Sequence, residues 1–312
     1  MRYNRLGRTG LKISNLCLGT NMFGASYVPN SEAEFVIKEA YEQGVNFIDT
    51  ADFYNEGESE KIIGKTIKNK RNNFVIATKG FMPTNKDINS KGLSRKHIIT
   101  AVENSLKRLS TDYIDLYQLH YWDPDCPIDE TINTLNDMVH QGKIRYLGCS
   151  NFAAWQLCKS LWISDKRNFE RFESIQPEYN FRQKDIENEI MPLCTDQEIS
   201  IIPYQILMGG LLTGNYAKES EPNKNSHLAS AHAQRAKNKY WNNDNFNMIE
   251  QLKSIEQKTG YNPISLTIAW TLSKPAVSSV IVGASKKSQI LSNVKSANIT
   301  LNQEILDQLD SL

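Results

Sequence analysis

Tyr113-Ile114-Asp115-Leu116-Tyr117-Gln118-Leu119-His120 is an apolar, strand-forming run that ends on a polar residue. Just before it, Ile98, Ile99, Val102, Leu106 and Leu109 recur at helical spacing, with lysines and arginines on the opposite face. This helix-then-strand unit recurs along the chain. Comparable apolar runs are Leu16–Gly19, Val45–Asp49, Phe74–Lys79, Ile144–Cys149, Phe172–Gln176, Ile199–Tyr204 and Val277–Val282. Helical patterns separate them at Glu34–Tyr41, Glu60–Lys68, Ile128–His140, Ala154–Ser164 and Glu187–Gln197, and another follows at Lys286–Lys295. Ser31-Glu32-Ala33-Glu34 reads as a capping box opening the first helix. From the second run to the seventh, starts fall about 30 residues apart, the length of one βαβ step.

Strands that are apolar on both faces and alternate with helices form a parallel sheet. Eight of them either close into a (β/α)8 barrel or spread into an open, doubly wound sheet. The open sheet predicts a G-x-G-x-x-G turn after an early strand, and this sequence has none. The fold class is therefore α/β, read as a barrel. Residues 2–13 read as a hairpin around Gly7-Arg8-Thr9-Gly10 that plugs the barrel's bottom. A long excursion after the seventh run, residues 215–245, is rich in Asn, Lys, Ser, Ala and His and reads as a loop or loose helix. Phe246–Lys258 is a helix, and Asn262-Pro263 caps and starts another through Leu272. No linker divides the chain, so residues 1–312 read as one domain.

Composition narrows the function classes. Hydrophobic residues make up 40% and charged residues 23% of 312, ordinary for a globular domain able to bury a large core. The net charge of +1 gives no bulk electrostatic case for nucleic acid or an anionic membrane. No apolar run approaches a membrane span, and Met1-Arg2-Tyr3-Asn4-Arg5 is not followed by a secretory h-region. Cys17, Cys126, Cys149, Cys158 and Cys194 have no close pair at a metal-ligand or redox spacing, so they read as reduced thiols. The location these features imply is cytoplasmic.

In a barrel every strand's C-terminal end opens on the face that carries the active site. Asp49, Lys79 and His120 end three successive runs, and Tyr54 follows Asp49 closely. Singly, each has a plain alternative: a turn cap, a snorkelling lysine, a core histidine, one tyrosine among 13. Together they supply an acid and the means to tune it. A phenol's pKa near 10 is high for a proton donor at neutral pH, and an ammonium held by a carboxylate lowers it. A neutral imidazole adds a hydrogen bond to a carbonyl oxygen. That set suits delivery of a proton to a carbonyl receiving a hydride.

Phe47-Ile48-Asp49-Thr50-Ala51-Asp52-Phe53-Tyr54, with Gly57-Glu58-Ser59-Glu60, resembles the aldo-keto reductase signature around a catalytic Asp and Tyr. Ile76-Ala77-Thr78-Lys79 and Asp112 through His120 resemble the strands bearing that family's Lys and His. The likeness continues through Gly148-Cys149-Ser150-Asn151-Phe152, Gln176-Pro177-Glu178-Tyr179-Asn180, Gly210-Leu211-Leu212-Thr213-Gly214 and Gly283-Ala284-Ser285. It runs in order from about residue 2 to 295, and it is similar to the branch holding bacterial reductases and potassium-channel β subunits. The resemblance implies a (β/α)8 barrel that uses NADPH, without a metal, to reduce small aldehydes and ketones. It assigns Tyr54 as general acid, Lys79 and Asp49 as the pair lowering its pKa, and His120 as substrate orienter. It places Ser150, Asn151 and Gln176 on the nicotinamide carboxamide and Tyr204 against the ring.

Leu207 offers backbone to the pyrophosphate, while Gly283, Ser285, Lys286, Gln289 and Asn293, with Lys287, face the adenosine end. A helix N-terminus and two lysines there favour the 2′-phosphate of NADPH. Two residues depart from the family pattern: Gln205 stands where a serine hydroxyl is usual, and Ser292 where a glutamate is frequent. The segment 215–245, with Arg235, Lys237 and Lys239, is then expected to cover the cofactor. Met22, Phe23, Phe53, Tyr121 and Trp122 are expected at the substrate pocket's rim. The competing functional reading is an NADPH-bound sensor or regulatory subunit with slow turnover. Neither natural substrate nor oligomeric state follows from these residues.

Overall fold

The computed structural model describes residues 1–213, 216, 218, 222, 227–229 and 234–312. It opens with a two-stranded antiparallel hairpin, β1 (Tyr3–Arg5) and β2 (Lys12–Ser14), as expected at the N-terminus. Strand and helix then alternate: β3 (Leu16–Gly19), α1 (Asn30–Glu42), β4 (Phe47–Asp49), α2 (Glu58–Ile67), β5 (Val75–Gly80) and α3 (Arg95–Leu109). They continue as β6 (Ile114–Leu119), α4 (Ile128–His140), β7 (Ile144–Ser150), α5 (Ala154–Arg167), β8 (Phe172–Gln176), α6 (Ile190–Asp196) and β9 (Ser200–Ile201). The last are α7 (Gln234–Tyr240), α8 (Asn243–Thr259), α9 (Pro263–Leu272), β10 (Val280–Gly283), α10 (Lys287–Ala297) and α11 (Gln303–Asp310).

β3 to β10 form one parallel sheet in the order β10-β3-β4-β5-β6-β7-β8-β9. Its two ends meet. Ile201 N–H donates to the Ala276 carbonyl at 2.8 Å, Ser278 N–H to Ile201 at 3.0 Å, and Ile281 N–H to Pro203 at 3.0 Å. The sheet is therefore a (β/α)8 barrel, as the alternating runs imply.

Alternation along each strand decides what fills the barrel. Leu16, Leu18, Ile48 and Ile76 pack outward among the helices. Cys17, Phe47, Val75, Ala77, Leu116 and Ile202 form a separate cluster inside, which Leu6 and Ile13 of the hairpin plug. Each buried aliphatic or aromatic side chain contributes roughly 1.5–3 kcal/mol relative to exposure. The next inward positions, one pleat further along β4, β5 and β6, are Asp49, Lys79 and Gln118. Apolar layers thus end where the polar floor of the site begins.

Several boundaries differ from the sequence reading, each for a local reason. α1 starts at Asn30 after Pro29, whose carbonyl accepts from Glu32 and Ala33 N–H groups, so Ser31 lies inside the first turn and caps nothing. β4 starts at Phe47 because the Val45 N–H closes the end of α1 on Ala40. β9 is short because Pro203, inside the expected run, has no N–H to donate. Part of the expected cofactor-covering segment, residues 215–245, lies outside the described residues; within the rest, α7 and the start of α8 are helical, as the loose-helix reading allowed. α11 was not expected. Asn302 caps it by accepting from Ile305 N–H, and Asp310 anchors it by accepting from Trp270 Nε1 at 2.6 Å.

Candidate active site

Asp49, Lys79 and His120 enter the mouth of the barrel from three adjacent strands. Lys79 is fully buried beneath the mouth. Its ammonium donates to Asp49 Oδ1 at 2.6 Å and to the Thr50 carbonyl at 2.6 Å. The ammonium lies 5.1 Å from the Tyr54 ring centre. Burial opposes the charge on Lys79, but Asp49 and Tyr54 together hold its pKa above the ordinary lysine value.

Asp49 is fixed from its other side. Its Oδ2 accepts from Gln176 Nε2 at 2.8 Å and from Gln118 Nε2 at 3.2 Å. Sequence reading missed Gln118. Its signal was parity, two residues before His120 on a strand and therefore on the same inward side.

Tyr54 opens a turn in which Asn55, Glu56 and Gly57 all take left-handed backbone, at φ 48, 58 and 85°. Such a turn is held only by its surroundings. The Asn55 amide pins it, donating to the carbonyls of Asn21 and Phe23, both at 2.9 Å. Burial raises the Tyr54 pKa, while Lys79 pulls it down. The expected lowering by the Lys79–Asp49 pair is thus present in sign, yet the net shift is upward because removal of water from the phenolate outweighs it.

His120 stacks on Tyr121, with ring centres 5.1 Å apart and planes at 6°, and meets the Tyr54 ring edge-on at 6.3 Å. Burial, assisted by the Lys79 charge, pushes the His120 pKa down to about 3, so the imidazole is neutral at physiological pH. Among the described residues, its buried Nδ1 has no hydrogen-bond partner.

Above this floor opens a cavity of about 1310 Å³, larger than common ligand pockets and extending to the start of α10. Asp49, Tyr54, His120, Ser150, Asn151, Gln176, Tyr204 and Leu207 line it, as do Gly283, Ser285, Lys286 and Gln289. Ser150 Oγ donates to the Gln176 carbonyl at 2.7 Å, and Asn151 Nδ2 to His120 O at 3.1 Å. Tyr204 OH donates to Asn151 Oδ1 at 2.8 Å. Gln205, Met208, Gly209 and Gly210 all take positive φ, winding the chain past Leu207 along the cavity wall. At the far end, Gln289 Oε1 accepts from the Ser285 N–H at 2.7 Å and steadies the turn into α10.

Some expected residues stand elsewhere. Asn293 is buried behind the cavity, and its amide reaches only the Gly283 carbonyl, at 3.4 Å. Lys287 lines the cavity but pairs with Glu39 of α1 at 3.1 Å. Met22, Phe53 and Tyr121 line the cavity, whereas Phe23 is fully buried in the core and Trp122 packs on Phe152 and Trp155. Of the three cations expected over the pyrophosphate, Lys239 pairs with Glu178 at 3.0 Å and Arg235 lies beside Tyr121. Lys237 lies 5.9 Å from the Trp241 ring centre.

Asp52, two residues before Tyr54, is buried, and among the described residues neither carboxyl oxygen has a hydrogen-bond partner. Burial, with the Glu60 charge adding and Arg108 opposing, pushes its pKa up to about 7. The folded state therefore holds this proton more tightly than the unfolded chain, whose aspartates titrate near 3.9. Stability falls as pH rises from about 4 to about 7. Asp52→Asn should flatten that slope, so its urea midpoint should change less than the wild type's between about pH 5 and pH 8. Parallel midpoint–pH curves for the two proteins would refute an unpaired ionising Asp52.

The sequence comparisons agree with this geometry. A family model described as the aldo/keto reductase family matches residues 15–312. A probable voltage-gated potassium channel subunit beta of Arabidopsis thaliana is 35% identical over 318 residues, covering 100% of this chain and 96% of its own. An aldo-keto reductase of Bacillus subtilis is 34% identical over 320 residues, covering 99% and 92%. A versiconal hemiacetal acetate reductase of Aspergillus parasiticus is 32% identical over 335 residues, covering 99% and 96%. Among the described residues, no helix is long and apolar enough to cross a membrane.

Proposed function

The chain belongs to the aldo/keto reductase family of oxidoreductases, and from that premise we propose that it uses NADPH to reduce small aldehydes and ketones to alcohols. The observation that carries this reading is the buried Lys79–Asp49 pair under Tyr54, beside a neutral His120, at the floor of a long cavity. The cavity fits a dinucleotide: amide and hydroxyl groups of Ser150, Asn151 and Gln176 at its deep end, the Tyr204 face beside them, and cations with a helix N-terminus at its far end.

When bound, NADPH supplies a hydride to the carbonyl carbon. His120, uncharged, hydrogen-bonds the carbonyl oxygen and orients it. Tyr54 donates its phenolic proton to that oxygen as the carbon takes the hydride. The Lys79 ammonium balances the phenolate left behind, and Asp49 keeps Lys79 in place. Solvent then returns a proton to Tyr54, so one carbonyl, one hydride and one proton become one alcohol.

The test is a steady-state assay of NADPH oxidation with a panel of aldehydes, ketones and sugars. Many turnovers per enzyme support the reductase. Tight NADPH binding with no more than one turnover would instead support a cofactor-holding regulatory subunit, and failure to bind NADPH would overturn both.

Preference for NADPH over NADH rests on Lys286 and Lys287 meeting the 2′-phosphate, which needs cationic or amide partners. Replacing both by alanine should shrink the ratio of the two Kd values by about 5- to 30-fold, the equivalent of one or two kcal/mol. Most of that loss should fall on NADPH, because the unpaired Glu39 then faces the phosphate. Equal wild-type Kd values for NADPH and NADH, read by fluorescence titration, would refute the preference.

A further inference from the structure

The cavity is also lined by a cation that the reductase chemistry does not use. Arg235, in the first turn of α7, is exposed and lines the cavity. Among the described residues, no carboxylate lies within 4.0 Å of its guanidinium. The nearby Glu178 is already engaged: one oxygen accepts from Lys239 at 3.0 Å and the other from the Tyr240 hydroxyl. Arg235 instead lies beside Tyr121, close enough for the two side chains to interact. Tyr121 follows β6 and stacks flat on the carbonyl-orienting imidazole of His120, with ring centres 5.1 Å apart. The adenosine-end candidates, Ser285, Lys286 and Gln289, lie across the cavity after β10. Arg235 therefore sits on the substrate side.

A guanidinium presents a planar fork that matches a carboxylate. From Tyr54 to Tyr121, beside Arg235, the lining is a run of ring contacts through Phe53 and His120. We propose that Arg235 selects carbonyl substrates bearing a carboxylate at the end remote from the carbonyl, across an apolar or aromatic spacer. This rests on the reductase reading and names the substrate class of the same site. The carboxylate lies over Arg235, the spacer between Phe53 and Tyr121, and the carbonyl oxygen at Tyr54 and His120.

The experiment compares para-carboxybenzaldehyde with para-methylbenzaldehyde, matched in ring and reach. The wild type should show a kcat/KM about tenfold higher for the acid, mainly through a lower KM, the scale of one charge-assisted contact. Arg235→Gln should bring that ratio near one by lowering kcat/KM more for the acid than for the methyl compound, and Arg235→Lys should retain part of the preference. Added salt should erode the wild-type ratio, because the guanidinium is exposed. Equal kcat/KM for the two aldehydes in the wild type, or equal losses on both in Arg235→Gln, would overturn the proposal. A calorimetric arm is independent of turnover and uses the corresponding alcohols, para-carboxybenzyl and para-methylbenzyl. If neither aldehyde is reduced, the reductase reading fails. Tighter binding of the acid alcohol that Arg235→Gln abolishes still supports the anion site, and equal binding overturns it.

Discussion

Tyr54→Phe should lose roughly 10²- to 10⁴-fold in kcat for carbonyl reduction, the usual worth of a positioned general acid. The phenyl ring keeps the packing of Tyr54 against Phe53 and His120. Lys79 keeps its bonds to Asp49 and Thr50. Only the transferable proton is gone, so NADPH Kd should stay within about twofold, well under the 1.4 kcal/mol that a tenfold change represents. The pH profile gives a second reading. Burial raises the Tyr54 pKa, so the free enzyme should keep its acid protonated through neutral pH and lose kcat/KM only in the alkaline range. That alkaline limb should be missing from the phenylalanine variant's residual activity. Protonation of His120, pushed down to about 3, should leave no limb between about pH 5 and pH 8 in either protein. A variant that keeps half of wild-type kcat would remove Tyr54 from the mechanism.

Legibility of the fold followed from how each signal is physically encoded. Barrel strands are buried on both faces, so apolar runs such as Tyr113–His120 stand out without any partner being known. Their ends are less legible. Whether Ser31 caps α1 depends on Pro29 opening the helix two residues sooner, and whether the run at Ile199–Tyr204 pairs fully depends on Pro203. The catalytic candidates were readable because residues at strand ends converge by topology alone. What Gln118 and Asn55 do was not readable. Gln118 acts by reaching across two strands to Asp49, and Asn55 by crossing to the carbonyls of the β3–α1 loop. Arg235 belongs to the same class: only the folded chain brings residue 235 over residue 121. The pairing of Lys287 was not legible for a related reason, since Glu39 sits on a helix that closes on α10 only through the barrel. Local pattern gives the elements and the strand-end chemistry, while contacts between distant loops need the assembled barrel.

Lys79→Met should be the most damaging single change, in two separable ways. In the native protein the ammonium and the Asp49 carboxylate bury each other at 2.6 Å, with 0% and 4% of their side chains exposed. Removing one member of such a pair leaves an uncompensated charge, a loss of about 3–5 kcal/mol. The Thr50 carbonyl also loses its donor, which adds to the damage. Gln118 and Gln176 still donate to Asp49, so the carboxylate stays partly solvated and a folded variant is expected. Its urea midpoint should fall well below that of the wild type. Activity should fall independently, because the phenolate forming on Tyr54 no longer faces a cation, and a loss of at least about 10²-fold is expected. The double variant Asp49→Asn with Lys79→Met separates the two effects. It contains no buried charge, and replacement of a whole buried ion pair is often neutral or stabilising. Its urea midpoint should therefore recover much of the single variant's loss, while kcat stays at the single variant's level. Recovery of turnover along with stability would mean that Lys79 serves only the packing, and would break the link between the buried pair and the proton transfer.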